Sequence, residues 1–227
     1  FDKTGTLTTG EFKISKVNPL DKVSTDEILR IVYNMELFSS HPIAKSLVAE
    51  LSSGGYSPLY FNKTEETKGM GISAEDKEGN HYKIGSHRIA LKLTPDSSHD
   101  LYLIKNEKLI ATIDIEDTLR ENVSEVMQVL NKNNYRNLLL SGDKHQKCEI
   151  VSKKTGINEI HSEKLPDEKL DIISNLVKEA PTAMVGDGIN DAPALAKATV
   201  GISLSNATEI AMQSAQVILL QGKLNKI

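Results

Sequence analysis

Phe1-Asp2-Lys3-Thr4-Gly5-Thr6-Leu7-Thr8 reads as the end of a buried strand running into a glycine-containing turn. An aspartate at the carboxyl end of a strand offers a nucleophilic carboxylate beside backbone N–H groups able to hold phosphate oxygens. The residue two positions on decides the fate of an aspartyl-phosphate. A second aspartate there would serve as general acid/base for its hydrolysis, but Thr4 has no pKa suited to that task. An acylphosphate on Asp2 should therefore persist. A surface turn rich in threonine and glycine is the plain alternative for these residues. A chain seldom starts at the end of a strand, so further sequence is expected upstream of Phe1.

Outward from this turn, the second half of the chain alternates apolar runs with amphipathic stretches. Strands are predicted at Arg136–Leu140, Thr182–Val185, Thr199–Ser203 and Gln216–Leu220. Val123, Val126, Met127 and Leu130 recur at helical spacing, as do Leu170, Ile173 and Leu176. Strand, loop and helix in succession predict an α/β fold, a doubly wound parallel sheet with helices on both faces. In such sheets the chemistry sits in loops at the carboxyl ends of strands. The loops at 2–8, 141–143 and 186–191 occupy those places.

Residues 16–113 read differently. Ser24-Thr25-Asp26-Glu27 has the spacing of a capping box ahead of Ile28, Ile31 and Met35. A second helix starts with Pro42 in its first turn, presents Ile43, Leu47, Val48 and Leu51, and stops at Ser52-Ser53-Gly54-Gly55. Alternating runs at His81–Ile84 and Leu109–Ile113 predict an antiparallel sheet. The expectation is an α+β module at 16–113 inserted into a sheet domain made of 1–15 and 114–227.

Composition narrows the partners. The 227 residues carry 27 basic and 31 acidic side chains, a net charge of −4, which excludes a basic nucleic-acid footprint. Cys148 is the only cysteine, so there is neither a disulfide framework nor a CxxC metal site, and a reducing, cytoplasmic setting is expected. No apolar run approaches the ~20 residues that span a bilayer.

Gly186-Asp187-Gly188-Ile189-Asn190-Asp191-Ala192-Pro193 follows a predicted strand and supplies two carboxylates and an amide, hard oxygen donors for Mg²⁺ and a hydrogen bond for phosphate. Alone, it could be a turn and a helix N-cap at Asp191. Ser141-Gly142-Asp143 has the ingredients of an ordinary turn. Lys169 is on a predicted helix, where lysine is usually a solvated charge, yet phosphoryl transfer needs a fixed cation near the transferring group. In the inserted module, His41 reads first as a cap or a packed core histidine. Gly69-Met70-Gly71 reads as a turn that also lets backbone approach a flat ring closely.

Together these residues resemble the P-type ATPases, and among them the heavy-metal-transporting branch. Asp2–Thr8 matches the family's phosphorylation motif, and Gly186–Asp191 its hinge motif. Ser141-Gly142-Asp143 matches a third signature, with serine where the family usually has threonine. Asp117-Thr118-Leu119-Arg120 is similar to its Asp-x-x-Arg segment. Glu36, Ser40-His41-Pro42 and Gly69-x-Gly71 carry the branch assignment. The Lys-Gly-Ala type segment of calcium and sodium pumps is absent, and a potassium-pump branch fits His41-Pro42 poorly.

The resemblance implies a haloacid-dehalogenase-like phosphorylation domain interrupted by a nucleotide-binding domain. It implies ATP as ligand, with adenine near Glu36, Ser40, His41, Gly69 and Gly71. Asp2 would be the nucleophile, and Mg²⁺ would be held by Asp2, the Thr4 carbonyl and Asp187, with Asp191 a further candidate. Lys3, Gly5, Thr6, Ser141, Gly142, Asp143, Lys169 and Asn190 would surround the phosphoryl group. The parent would be an integral membrane pump for copper, or next for zinc or cadmium. This chain would lie on the cytoplasmic face, partnered by the pump's own membrane helices and actuator domain, and would be monomeric as a fragment. A soluble phosphatase or phosphotransferase of the same superfamily is the alternative.

Overall fold

The computed structural model describes residues 1–186, 191–204, 209–220 and 223–227. The chain forms two compact units, Phe1–Gly10 with Leu119–Ile227, and Glu11–Thr118. The expected boundaries, 15/16 and 113/114, lie five residues inside each of these breaks.

The inserted unit is a six-stranded sheet with two helices. In chain order it contains β1 (Thr8–Pro19), α1 (Thr25–Glu36), α2 (Pro42–Leu51), β2 (Phe61–Thr67), β3 (Gly71–Asp76), β4 (His81–Gly85), β5 (Leu101–Lys105) and β6 (Lys108–Leu119). The strand order is β1-β6-β5-β4-β3-β2, and the pairs from β2 through β6 are antiparallel. Ser24 caps α1 by accepting the Glu27 N–H (3.2 Å), which satisfies one of the donors orphaned at a helix start. Ile28, Ile31, Val32 and Met35 then meet Leu47 and Leu51 of α2 over Ile72, Ile84, Leu103 and Ile113 of the sheet. Each such fully buried aliphatic side chain contributes roughly 2 kcal/mol relative to exposure.

The other unit is the parallel α/β layer. It comprises α3 (Val123–Lys132), β7 (Leu138–Leu140), α4 (His145–Thr155), β8 (Glu159–His161), α5 (Pro166–Glu179), β9 (Ala183–Gly186), α6 (Ala192–Lys197), β10 (Val200–Leu204), α7 (Glu209–Ser214) and β11 (Val217–Leu219). β7 pairs with β8, and β10 lies between β9 and β11, all parallel. Phe1 and Asp2 bridge the two groups. The Leu140 N–H donates to Phe1 O (2.8 Å), and the Asp2 N–H donates to Val185 O (2.9 Å). Asp2 therefore stands between the carboxyl ends of β7 and β9, where a parallel sheet puts its chemistry.

The strands differ from prediction at their ends. β7 omits Arg136, whose guanidinium reaches out to Glu159 and Glu179 at the surface. β9 starts one residue late because the Thr182 N–H donates to Thr199 Oγ1 instead of a ladder partner. The helix α4 escaped the periodicity reading because its buried face is only Cys148, Val151 and Thr155 on a lysine-rich background. Among the described residues no helix is long and apolar enough to cross a membrane.

Candidate functional site

Residues 3–7 form a wide turn that returns the chain from Asp2 to β1. Gly5 takes φ +76°, a left-handed conformation that favours glycine. Thr8 closes the turn from below: its hydroxyl donates to Lys3 O (3.0 Å) and accepts from the Gly5 N–H (3.1 Å). Arg120 closes it from the side, donating from Nε to Thr6 O (2.9 Å) and from its terminal nitrogen to Gly5 O (2.7 Å). A planar guanidinium suits two carbonyls at once, which a point-charge ammonium does not. The Asp117–Arg120 likeness pointed at this residue without indicating that it binds backbone.

Asp2 is buried at 5% exposure, and Lys169, 167 residues away, is buried at 6%. The Lys169 ammonium lies 2.5 Å from Asp2 Oδ1 and 2.8 Å from Asp191 Oδ1. Burial works against the charged lysine, but the Asp2 and Asp191 carboxylates outweigh it and raise its pKa above the ordinary value. The plain alternative of a solvated helical lysine is not what the structure shows: α5 turns Lys169 inward onto two carboxylates. Asp191 stands at the N-cap position of α6 but makes no side-chain cap bond; its carboxylate takes Lys169 instead.

The turn after β7 lies beside this pair. The Asp143 N–H donates to the buried Ser141 Oγ (3.1 Å), and Asp143 Oδ2 meets Lys3 Nζ at 2.6 Å and the Thr4 hydroxyl at 3.5 Å. Gly142 passes the Lys164 carbonyl, which a Cβ would meet at 3.4 Å. Thr6 Oγ1 is buried without a hydrogen-bond partner among the described residues, a cost that a ligand would relieve. Asp187 and Asn190, both expected at this site, lie outside the described residues.

The potential ligands for a cation here, Asp2, Asp191 and the Thr4 carbonyl, are all oxygens, the donors that Mg²⁺ takes. Among the described residues no group of three His, Cys, Asp or Glu side chains forms a metal cage. Mg²⁺ commonly uses one or two carboxylates together with substrate phosphates. A cavity of about 1100 Å³ is lined by Leu138, Ile173, Met184 and Val200 but by none of Asp2, Lys169 or Asp191. It is not the reacting centre.

In the inserted unit, His41 caps α2: its Nδ1 accepts the Ile43 N–H (3.2 Å), which assigns the ring proton to Nε2 and leaves the ring exposed. The cap reading is the observed one, and the packed-core alternative is not. Glu36 is the last residue of α1 and is buried at 6% exposure. Burial, with the Glu66 charge adding to it, pushes its carboxyl up to about 7. Gly69 (φ +76°) and Gly71 (φ +139°) shape the β2–β3 turn. The close approach they allow is first of all to backbone: a Cβ on Gly71 would lie 2.0 Å from Ile84 O, and one on Gly85 1.9 Å from Met70 O. Ser86 completes this crossing, donating from its N–H to Met70 O (2.9 Å) and from its hydroxyl to Gly69 O (3.1 Å). Gly85 and Ser86 were missed in the sequence, where only the cross-strand pairing of Gly71 with Gly85 would have revealed them.

Comparison with known proteins decides the family. The model of the haloacid dehalogenase-like hydrolases matches residues 1–199. The chain belongs to that family. Within this hydrolase family its relatives are metal pumps. It is 33% identical, over its whole length and 38% of the relative's, to the zinc-transporting ATPase of Bacillus subtilis (strain 168). It is 32% identical, over its whole length and 29% of the relative's, to copper-transporting ATPase 2 of Rhizobium meliloti (strain 1021). Among solved structures, the catalytic domain of the CPx-ATPase CopB-B, studied for conformational changes upon nucleotide binding, superposes with a TM-score of 0.82 at 29% identity. The match covers 96% of this chain and 82% of that one. A zinc-transporting PIB-type ATPase in its E2.Pi state gives 0.79 at 28% identity, covering 96% and 38%. The chain thus spans about a third of the length of the curated pumps it matches.

Proposed function

We propose that this hydrolase is the ATP-binding and autophosphorylating part of a P-type ATPase that drives a heavy-metal cation across a membrane. The observation that carries the reading is the Asp2–Lys169–Asp191 triad at the ends of β7 and β9, beside a turn with Thr4 where a hydrolytic aspartate would stand. The inserted unit holds the nucleotide at Glu36, Ser40, His41, Gly69 and Gly71. The Asp2 carboxylate attacks the γ-phosphorus in line, forming the aspartyl-phosphate as the bond to the β–γ bridging oxygen breaks and ADP leaves. Lys169 orients Asp2 and then neutralises charge on the transferring group, a positioning and electrostatic mechanism. Lys3, Ser141 and Thr6 offer the phosphoryl oxygens a cation and two hydroxyls. Asp2, the Thr4 carbonyl and Asp187 would hold Mg²⁺, which supplies charge neutralisation between the phosphates.

The whole pump and its location in a membrane rest on the relatives. Those named for zinc and for copper match at 33% and 32% identity, so the cargo is proposed as a heavy-metal cation without a choice between them.

Two experiments test this. Incubation with γ-labelled ATP and Mg²⁺ should label wild type with an acid-stable, hydroxylamine-labile phosphate and leave Asp2→Asn unlabelled. Calorimetric titration with a non-hydrolysable ATP analogue should show saturable binding that weakens in His41→Ala. Rapid hydrolysis of small phosphate esters, with no label retained, would instead establish a soluble phosphatase.

A further inference from the structure

We propose that Glu66 is a positioning residue of the nucleotide pocket, joining the loop that carries His41 to the hairpin that carries Gly69 and Gly71. This rests on the reading of those residues as the nucleotide site. Glu66 is the penultimate residue of β2, three positions before Gly69. Its carboxylate reaches across to the α1–α2 loop. The Ser39 hydroxyl donates to Oε1 (2.5 Å), and Oε2 faces the Ser40 N–H (3.4 Å) and the Ser40 hydroxyl (3.5 Å). The chain of bonds goes further, because the His41 N–H donates to Ser39 Oγ (3.1 Å). The peptide that places the His41 ring is thereby tied through one serine to a carboxylate on the neighbouring strand.

The topology gives this link its purpose. The α1–α2 loop and the β2–β3 hairpin are joined in sequence only through α2 and the segment leading into β2. The Phe38–Phe61 edge contact (6.0 Å between centroids) ties the loop to the start of β2, and Glu66 ties it to the end of β2 that leads into the glycine turn. An aromatic ring of a ligand between them would need that distance held to a fraction of an ångström, since stacking and close backbone approach both fall off steeply. Glu66 sets it with charge-assisted bonds, the stronger kind available at an exposed position.

The test is calorimetric titration of the non-hydrolysable ATP analogue into wild type, Glu66→Ala, Glu66→Gln, Ser39→Ala and the double variant His41→Ala/Glu66→Ala. Glu66→Ala should weaken binding about tenfold, and Glu66→Gln, which still accepts from Ser39, should recover most of the loss. Ser39→Ala should resemble Glu66→Ala. On a His41→Ala background the Glu66 change should cost less than about twofold, because its effect is exerted through His41. Wild-type affinity in Glu66→Ala, or full additivity in the double variant, overturns the proposal while leaving the pocket intact. If Glu66→Ala fails to fold, Glu66→Gln and Ser39→Ala decide: affinity unchanged in Ser39→Ala overturns it. A wild-type chain that binds no nucleotide overturns the pocket itself, a distinct result.

Discussion

The Lys169 ammonium sits 2.5 Å from Asp2 Oδ1, with both side chains less than a tenth exposed and 167 positions apart in the chain. Asp191 completes the arrangement at 2.8 Å. Removing the lysine leaves two buried carboxylates facing each other. Breaking a buried ion pair from one side costs about 3–5 kcal/mol, because the remaining charge has lost its compensation. Lys169→Met should therefore unfold at lower urea and fail to form the labelled phosphoprotein. Lys169→Met/Asp191→Asn should regain part of the stability without regaining phosphorylation. Recovery of both would show that the lysine is structural only.

Glu36 makes a prediction about pH. Its carboxyl is raised from 4.5 to about 7, first by burial and then by Glu66. The native state thus holds a proton that the unfolded chain releases above about 4.5. Stability from this group is fully present below that pH and is lost as pH rises to about 7. The loss is on the order of 3 kcal/mol over the window. Glu36→Gln mimics the protonated form. The urea stability of this variant relative to wild type should grow between pH 5 and 7 and then level off. A difference that is flat across this range would place Glu36 in a more solvated setting than its burial indicates.

How much of this was legible in the sequence differs between elements for physical reasons. α1 was readable because its cap and its apolar stripe, Ile28, Ile31 and Met35, are local signals. The position of Asp2 followed from the general rule for parallel sheets. What escaped depends on long-range pairing. Lys169 was singled out by the family resemblance, but its two carboxylate partners, Asp2 and Asp191, come only with the folding of α5 onto them. Gly85, Ser86 and Glu66 carry no motif, and acquire meaning only from the register of β2, β3 and β4. Arg120 could be singled out from sequence, but its partners are carbonyls of Gly5 and Thr6, which no side-chain pattern reports.

His41 has two separable jobs, and a pair of substitutions should divide them. Its Nδ1 caps α2, and its ring is exposed for a ligand. His41→Ala removes both and should cost about 1 kcal/mol of stability together with nucleotide affinity. His41→Asn restores a good cap without an aromatic ring. It should unfold close to wild type while its affinity for the ATP analogue still falls about tenfold. If asparagine restores affinity as well, the histidine serves the helix and not the ligand.

Arg120 tests whether the shape of the turn after Asp2 matters as much as its charges. The guanidinium donates to two successive carbonyls, and its own N–H donates to Leu7 O (2.9 Å). Lysine at this position can satisfy one carbonyl at a time, so the turn would lose half its lateral clamp while keeping its positive charge. Near-attack geometry is sensitive to displacements of about 1 Å, and a loosened turn should cost roughly a hundredfold in rate. We therefore expect Arg120→Lys to slow labelling of Asp2 by one to two orders of magnitude, and Arg120→Ala by at least as much. Neither should change the affinity of the inserted unit for the ATP analogue, because Arg120 belongs to the other compact unit. Labelling at the wild-type rate in Arg120→Lys would mean that charge near the turn suffices. Loss of nucleotide affinity in either variant would mean that Arg120 acts on the ligand as well as on the backbone.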